Sequence, residues 1–505
     1  MAKEHCYIKD FSENTLEKYG LNLKDQELID YLVNRAIYEK LYTDTKDFQH
    51  DLKHVERVIT YARMIMHQRP NSHVNEMMMM YAALYHDIGK TLGASNREHG
   101  IVGANEFRRR MEGKMPAREI DMISMLIMQH AEAKDKIDFE SGKYTPEEME
   151  QLQEMSDILK DADALDRNRL NYPFPIGGCD IERLRLPESK KIHALTDSFY
   201  EDYCAAIIKR KEQQTGEKIY NNYQLMDQWI TNPQNDEMLY HASLDPSIDQ
   251  LLPRESTQKG SFVYAGKNPV NCVTMAAFRF SLLFPRTRTA DGKRAIKEIF
   301  PNTIEQTLSS KYITIYQVPK NQFSEYKAEA TAAPTGEWVS STPVEPIAQV
   351  SFKALDLLND LQKKDRLQII ADHSTEAQLD SFIKGMEVYI WGIKHSNSSP
   401  DYMEQKWQQS RALMNYYSQN DTVLQTMDRV REDIDQDIQE YTLEFEATYG
   451  RKPNYDNEAE CVVPILKKFQ KKYYILDPTG KTKINNAYVN SLGNQEKINQ
   501  ESRQK

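Results

Sequence analysis

A chain of 505 residues exceeds what one ordinary hydrophobic core can serve, so two or three domains are expected. The formal net charge of -11, with a sequence pI near 5.7, argues against a general nucleic-acid binder, which needs a clustered positive surface. Cys6, Cys179, Cys204, Cys272 and Cys461 are scattered without CxxC spacing and read as reduced thiols. No apolar run reaches about 18 residues and the Met1–His5 start lacks a signal-peptide core, so a soluble cytoplasmic protein is expected.

Residues 1–45 read as a helical lead-in, with Leu28, Ile29, Tyr31, Leu32, Ala36 and Ile37 at mixed three- and four-residue spacings. In the next helical segment Val55, Val58, Ile59 and Ala62 mark one face around His54, and His50 falls one turn earlier on the same side. The apolar run 77–84 lacks Gly and Pro, as a buried helix should, and its four methionines read as core filling. It leads into His86-Asp87-Ile88-Gly89-Lys90, where Gly89 closes the helix. His99 follows at a loop-to-helix junction, His130 ends another apolar run, and Asp163 stands in Asp161-Ala162-Asp163-Ala164-Leu165-Asp166-Arg167. Imidazoles and carboxylates brought together in this way suit Mn, Fe, Mg or Zn in hydrolytic work.

The ordered set His…His-Asp…His…His…Asp, with "HDIGK", "HG" and "DADALDR", resembles the HD-domain superfamily over roughly residues 30–210. The resemblance implies a helical bundle holding one or two divalent metals and hydrolysing phosphoric esters. It implies His54, His86, Asp87 and Asp163 as the core metal set, His99 and His130 as further ligands, and Asp87 as the residue that bridges two ions or orients the attacking water. It also implies Lys90 as a point charge on a substrate phosphate. His50 and Arg167 are candidate substrate contacts. From the residues alone either Asp161 or Asp163 fits as ligand; the family's "AD-x-L" pattern favours Asp163. Asp161, Asp166 and Glu98 are candidates to orient the imidazoles. "HDIGK" departs from the "HD-x-x-ED" of alarmone hydrolases at Lys90 and Thr91, and no Gly-Tyr-Pro signature of cyclic-di-GMP members is present.

Beyond the ligands, residues 171–178, with two prolines and two glycines, read as a loop and a candidate lid. Helices resume over 192–209, and the charged stretch 209–214 reads as a solvated face. From about Glu237 short β-like runs appear, 261–265 and 312–318. Tyr240, His241 and Ser243, with Leu-x-Pro and Val-Tyr-Ala downstream, are weakly similar to small nucleotide-binding α/β modules of ADP-ribosyltransferase-like shape; a strand edge feeding a turn competes with that reading. The stretch 330–346 reads as a loop or hairpin connection. From Ser351 the chain reads as helical and polar. On the helix 423–446 the carboxylates of Glu432, Asp433, Asp435 and Asp437 are expected to face solvent, because Ile434 shares the apolar stripe.

The expected fold is mainly α: an HD-type metal domain (residues 1–230), a small mixed α/β domain (236–350) and a helical C-terminal region (351–505). The expected function is a metal-dependent phosphohydrolase, a phosphodiesterase or nucleotidase acting on a phosphorylated small molecule or nucleotide, with Asp87 and Lys90 in catalysis and Mn, Fe, Mg or Zn as cofactor. Two alternatives stand beside it: a mixed-valence di-iron oxygenase on the same ligand set, or a regulatory nucleotide-binding protein, even a secreted bacterial effector. No membrane is expected as partner; a protein partner through the C-terminal region is.

Overall fold

The structure is a computed structural model. It describes residues 6–42, 51–70, 72, 74–95, 98–132, 136–139, 142–169, 178–231, 237–255, 261–278, 282–289, 293–327, 334–391, 393, 402–418, 420–454, 457–476, 482–489 and 491–492. These fall into two compact units. The first takes its residues from Met1–Tyr172, Gly177–Val273 and Ser310–Ala354; the second takes Thr274–Ser309 and the chain from Leu355. The mainly helical architecture expected from the sequence is what the chain adopts, and no described helix is long and apolar enough to cross a membrane.

The first unit opens with α1 (Glu13–Lys18) and α2 (Leu23–Tyr38). Asn22 and Asp25 form a reciprocal capping box at the start of α2, satisfying amide groups that the helix leaves without partners. Ile29, Leu32 and Ala36 are buried, whereas Tyr31, counted with that face from spacing, is 54% exposed. Next come α3 (Leu52–His67), α4 (Glu76–Tyr85), α5 (Ile88–Thr91), α6 (His99–Met111), α7 (Ala117–His130) and α8 (Pro146–Asp166). Asp51 caps α3 and Asn75 caps α4, while Thr145, Glu148 and Pro146 start α8. One continuous core joins these helices, and Met78, Met79 and Met80 are buried in it as expected, whereas Met77, in the first turn of α4, is 41% exposed.

Small residues let the ligand-bearing helices meet backbone to backbone. A Cβ placed on Gly89 would lie 2.1 Å from the carbonyl oxygen of His99, and one on Gly100 would lie 2.7 Å from that of Met128. Only glycine fits at either contact.

Then come α9 (Pro187–His193), α10 (Thr196–Thr215) and α11 (Tyr223–Thr231). The charged stretch in α10 is not simply a solvated face. Arg210 bonds Asp10 and the carbonyl of Cys6, and Lys211, 8% exposed, reaches the carbonyl of Ile248 at 2.9 Å and Asp249 at 2.9 Å. These partners lie too far along the chain for local charge patterning to reveal them.

The same unit holds a seven-stranded sheet in the order Ser324–Lys327, Pro334–Ser340, Ser261–Gly266, Met238–Ser243, Tyr312–Pro319, Ala348–Lys353, with Arg254–Glu255 added to Ser261–Gly266. All pairings are antiparallel; His241 lies opposite Tyr316, and Ile315 opposite Val350. Pro334–Ser340 falls within the stretch read from composition as a loop or hairpin connection, and it does pair as a hairpin with Ser324–Lys327. Its pairing with Ser261–Gly266 and the buried Val339 make it a strand, because tertiary context overrides local propensity.

In the second unit Arg286–Arg288, Arg294–Glu298 and Gln368–Ala371 form a three-stranded sheet beside helices that include Thr375–Trp391, Asp421–Tyr449 and Val463–Tyr473. Here the expectation of solvent-facing carboxylates holds for Glu432, which is exposed, and fails for Asp437 and in part for Asp433. Asp437 is 4% exposed, accepting from Lys472 at 2.6 Å and pairing with Lys468 at 2.7 Å. Asp433 accepts from Lys472 at 3.1 Å and from the Tyr473 hydroxyl at 2.8 Å. The cations come from the helix Val463–Tyr473, and no reading of one helix alone reveals them.

Candidate metal centre

Four helices and one helix break bring the sequence-predicted residues together. His54 lies on the first turn of α3, and the carboxylate of the capping Asp51 accepts from its backbone N–H. His86 closes α4 in helical conformation, and Asp87 then departs from it (φ -102°, ψ 11°) before α5 begins. That break lets two consecutive side chains aim inward. His99 starts α6, His130 ends α7, and Asp163 and Asp166 share a face of α8 near its end.

The groups converge on the two oxygens of Asp87. Its Oδ2 lies 3.3 Å from His54 Nε2 and 3.3 Å from His86 Nε2. Its Oδ1 lies 3.4 Å from His99 Nε2 and 3.4 Å from His130 Nε2. Asp163 Oδ1 joins the first group, 3.3 Å from His54 Nε2 and 4.0 Å from His86 Nε2. Two sets of possible metal ligands result, His54–His86–Asp87 and Asp87–His99–His130, with Asp87 common to both.

The donor chemistry fits a divalent cation. His86 Nδ1–H donates to the Ala83 carbonyl at 2.8 Å, and His130 Nδ1–H to that of Ile127 at 2.5 Å, so each ring turns a lone pair inward at Nε2. Yet the Nε2 atoms of His54 and His86 lie 3.2 Å apart, and those of His99 and His130 lie 3.1 Å apart. Each such pair can share at most one proton, whereas a bound cation would satisfy all of these lone pairs.

The electrostatics point the same way. Burial alone would keep His54 neutral, but Asp163, Asp166 and Asp87 more than reverse this, and its pKa rises to about 10. Burial would likewise raise the pKa of Asp87, yet the imidazoles of His86, His130 and His54 hold it well below the usual carboxylate range. Asp163 is also held low, chiefly by His54 against the effect of burial. The site attracts positive charge. Asp163 also marks its opening: the side chain is 36% exposed, against 3% for His54 and none for His86.

Behind the cluster, Asp166 Oδ2 lies 2.6 Å from His54 Nδ1 and orients that ring. Arg57 grips Asp166 with Nε at 2.7 Å and Nη2 at 3.3 Å, and Arg169 Nη1 adds a contact at 2.6 Å. Arg57 and Arg169 were not picked out from the sequence. The available signal was the spacing of Arg57, three residues after His54 and so on nearly the same face of α3.

The remaining predicted residues are placed differently. Asp161 turns from the cluster and accepts the amides of Arg185 and Leu186, both at 2.9 Å, leaving Asp163 as the carboxylate beside His54. Glu98 accepts from Ser95. Lys90 is half-buried on α5 and Arg167 is exposed after α8. His50 and residues 171–177 of the candidate lid lie outside the described residues. Tyr240, His241 and Ser243 lie on one sheet strand, where His241 Nδ1–H donates to the Tyr264 carbonyl at 2.7 Å.

No curated protein and no solved structure matches this chain. The family model for the HD domain matches residues 51–168, the segment that runs from the cap of α3 through the end of α8 and carries every residue of the cluster. This N-terminal part of the chain is an HD domain.

Proposed function

We propose that the cluster binds one or two divalent cations and that the protein is a metal-dependent phosphohydrolase, a phosphodiesterase or nucleotidase acting on a small phosphorylated molecule or nucleotide. The observation that carries this reading is the division of four imidazole nitrogens between the two oxygens of Asp87. His54, His86, Asp87 and Asp163 would hold one ion; Asp87, His99 and His130 would hold the other. A cation held by these residues would supply Lewis-acid activation of water near neutral pH.

The protein's own residues do the rest. Asp87 holds both ligand groups in one register and orients the attacking water. Asp166, itself fixed by Arg57 and Arg169, keeps the His54 ring in one orientation. The exposed side of Asp163 is where substrate and water would approach. Lys90 supplies a positive charge for a substrate phosphate.

The test is hydrolysis of a generic phosphodiester and a panel of nucleotides in the presence of Mn, comparing wild type with Asp87→Ala. Activity reduced at least about 1,000-fold in the variant is expected, a loss on the order of 4 kcal/mol. Mn-loaded wild type that hydrolyses none of these substrates would overturn the proposal.

A further inference from the structure

We infer that Lys311, which lies 143 residues beyond the end of the HD-domain match, is a positioning residue of the metal centre, clamping the turn that closes α8 behind Asp163 and Asp166. The inference rests on reading the cluster as a metal centre.

The end of a helix leaves carbonyls without partners and gathers negative potential. In α8 that end is extended by the 3-10 turn Arg167–Arg169. Lys311 Nζ donates to the carbonyl of Asn168 in that turn at 2.6 Å. The residue is 6% exposed, and an ammonium group is costly to bury without compensation. Its ion-pair partner, Asp197 at 3.5 Å, is 61% exposed and therefore screened.

The remaining compensation leads back to the ligands. Lys311 Nζ lies 5.3 Å from the ring centre of Tyr200, and the guanidinium of Arg57 lies 5.7 Å from the same ring. Arg57 in turn grips Asp166, which orients His54. Lys311 thus bears on the ligand end of α8 both directly and through the Tyr200–Arg57 pair.

The base of Lys311 is rigid. Its carbonyl accepts from Ala354 N–H at 2.9 Å, and the next residue, Tyr312, opens the strand Tyr312–Pro319, paired on both sides, and packs with Tyr200, Cys204, Ile208 and Ile219. Asn168 is anchored as well: its side chain donates to Thr196 at 2.7 Å and accepts from Cys179 N–H at 2.9 Å. A fixed cation therefore meets a fixed carbonyl, the arrangement a positioning role requires.

The test is Mn(II) titration of the full chain, followed by the electron paramagnetic resonance of free Mn, with the melting temperature of metal-free protein measured alongside. Lys311→Met should weaken Mn binding about 10-fold or more, the scale seen when outer partners of ligands are removed. Lys353→Met removes an ion pair with Glu201, which links the sheet to α10 elsewhere, and should leave Mn binding unchanged. Should Lys311→Met fail to fold, Lys311→Gln, uncharged and one atom shorter, should show the same weakening. Unchanged Mn binding in the Lys311 variants, or equal weakening in Lys353→Met, would overturn the inference. Wild type that takes up no Mn would instead overturn the metal-centre reading on which it rests.

Discussion

Among the described residues, two acidic clusters with buried or half-buried carboxylates are built on opposite terms. In the second unit, Asp433 and Asp437 each meet an ammonium group, with a phenol added at Asp433. Every charge there has a counter-charge of the same chain. In the HD domain Asp166 is equally well served, gripped by Arg57 and Arg169. Asp87, by contrast, is surrounded by imidazoles whose nitrogens crowd one another at 3.1 and 3.2 Å. Carboxylates met by lysine and arginine hold a fold together, whereas a carboxylate shared among imidazoles is a donor set that a cation could use.

Substitutions can sharpen this contrast. Arg57 is 5% exposed and Asp166 1%, so Arg57→Met strands part of a buried charge and should cost about 3–5 kcal/mol in urea denaturation. The same change should weaken Mn binding about 10-fold or more, because Asp166 orients His54. Asp437→Asn should cost about 1–3 kcal/mol and leave Mn binding unchanged. Weakened Mn binding in that second variant would break the distinction between a self-satisfied cluster and a metal-seeking one.

An effect confined to acid pH concerns a histidine outside both clusters. Burial depresses the pKa of His241 to about 4, with the Tyr264 carbonyl opposing and Arg254 adding to the shift. Unfolded chains titrate near the ordinary value of about 6.5. Between these values the unfolded state binds more protons, so this contribution to stability is present above pH 6.5 and is lost as pH falls toward 4. Wild type should lose stability over that window at up to about 1.4 kcal/mol per pH unit more steeply than His241→Gln. Equal slopes in the two proteins would show that His241 binds its proton equally well folded and unfolded.

What could be read from the sequence follows from how far apart the interacting groups lie along the chain. The helices around the cluster were legible because their apolar periodicity is local, and His54, His86, Asp87, His99, His130 and Asp163 stood out because each falls at the edge of such a run. Asp163 could not be separated from Asp161 by composition; the structure separates them by helical phase, one beside His54 and the other beneath the amides of residues 185–186. Arg57, Lys211, Lys311 and the partners of Asp433 were illegible for a common reason. Each is a charged residue whose partner sits tens to more than a hundred positions away, so its local pattern reads as solvated surface. The strand Pro334–Ser340 pairs locally with Ser324–Lys327, as a hairpin would, but its second partner, Ser261–Gly266, lies some seventy residues upstream.

The contact at Gly89 has a consequence for how such a centre can change. Main chain of α5 rests against main chain at His99, with no side chain between them. The bite between the two imidazole pairs is therefore gauged by backbone, like the fixed jaw of a caliper. Adding a single methyl group at residue 89 would drive it into the His99 carbonyl and force the jaws apart.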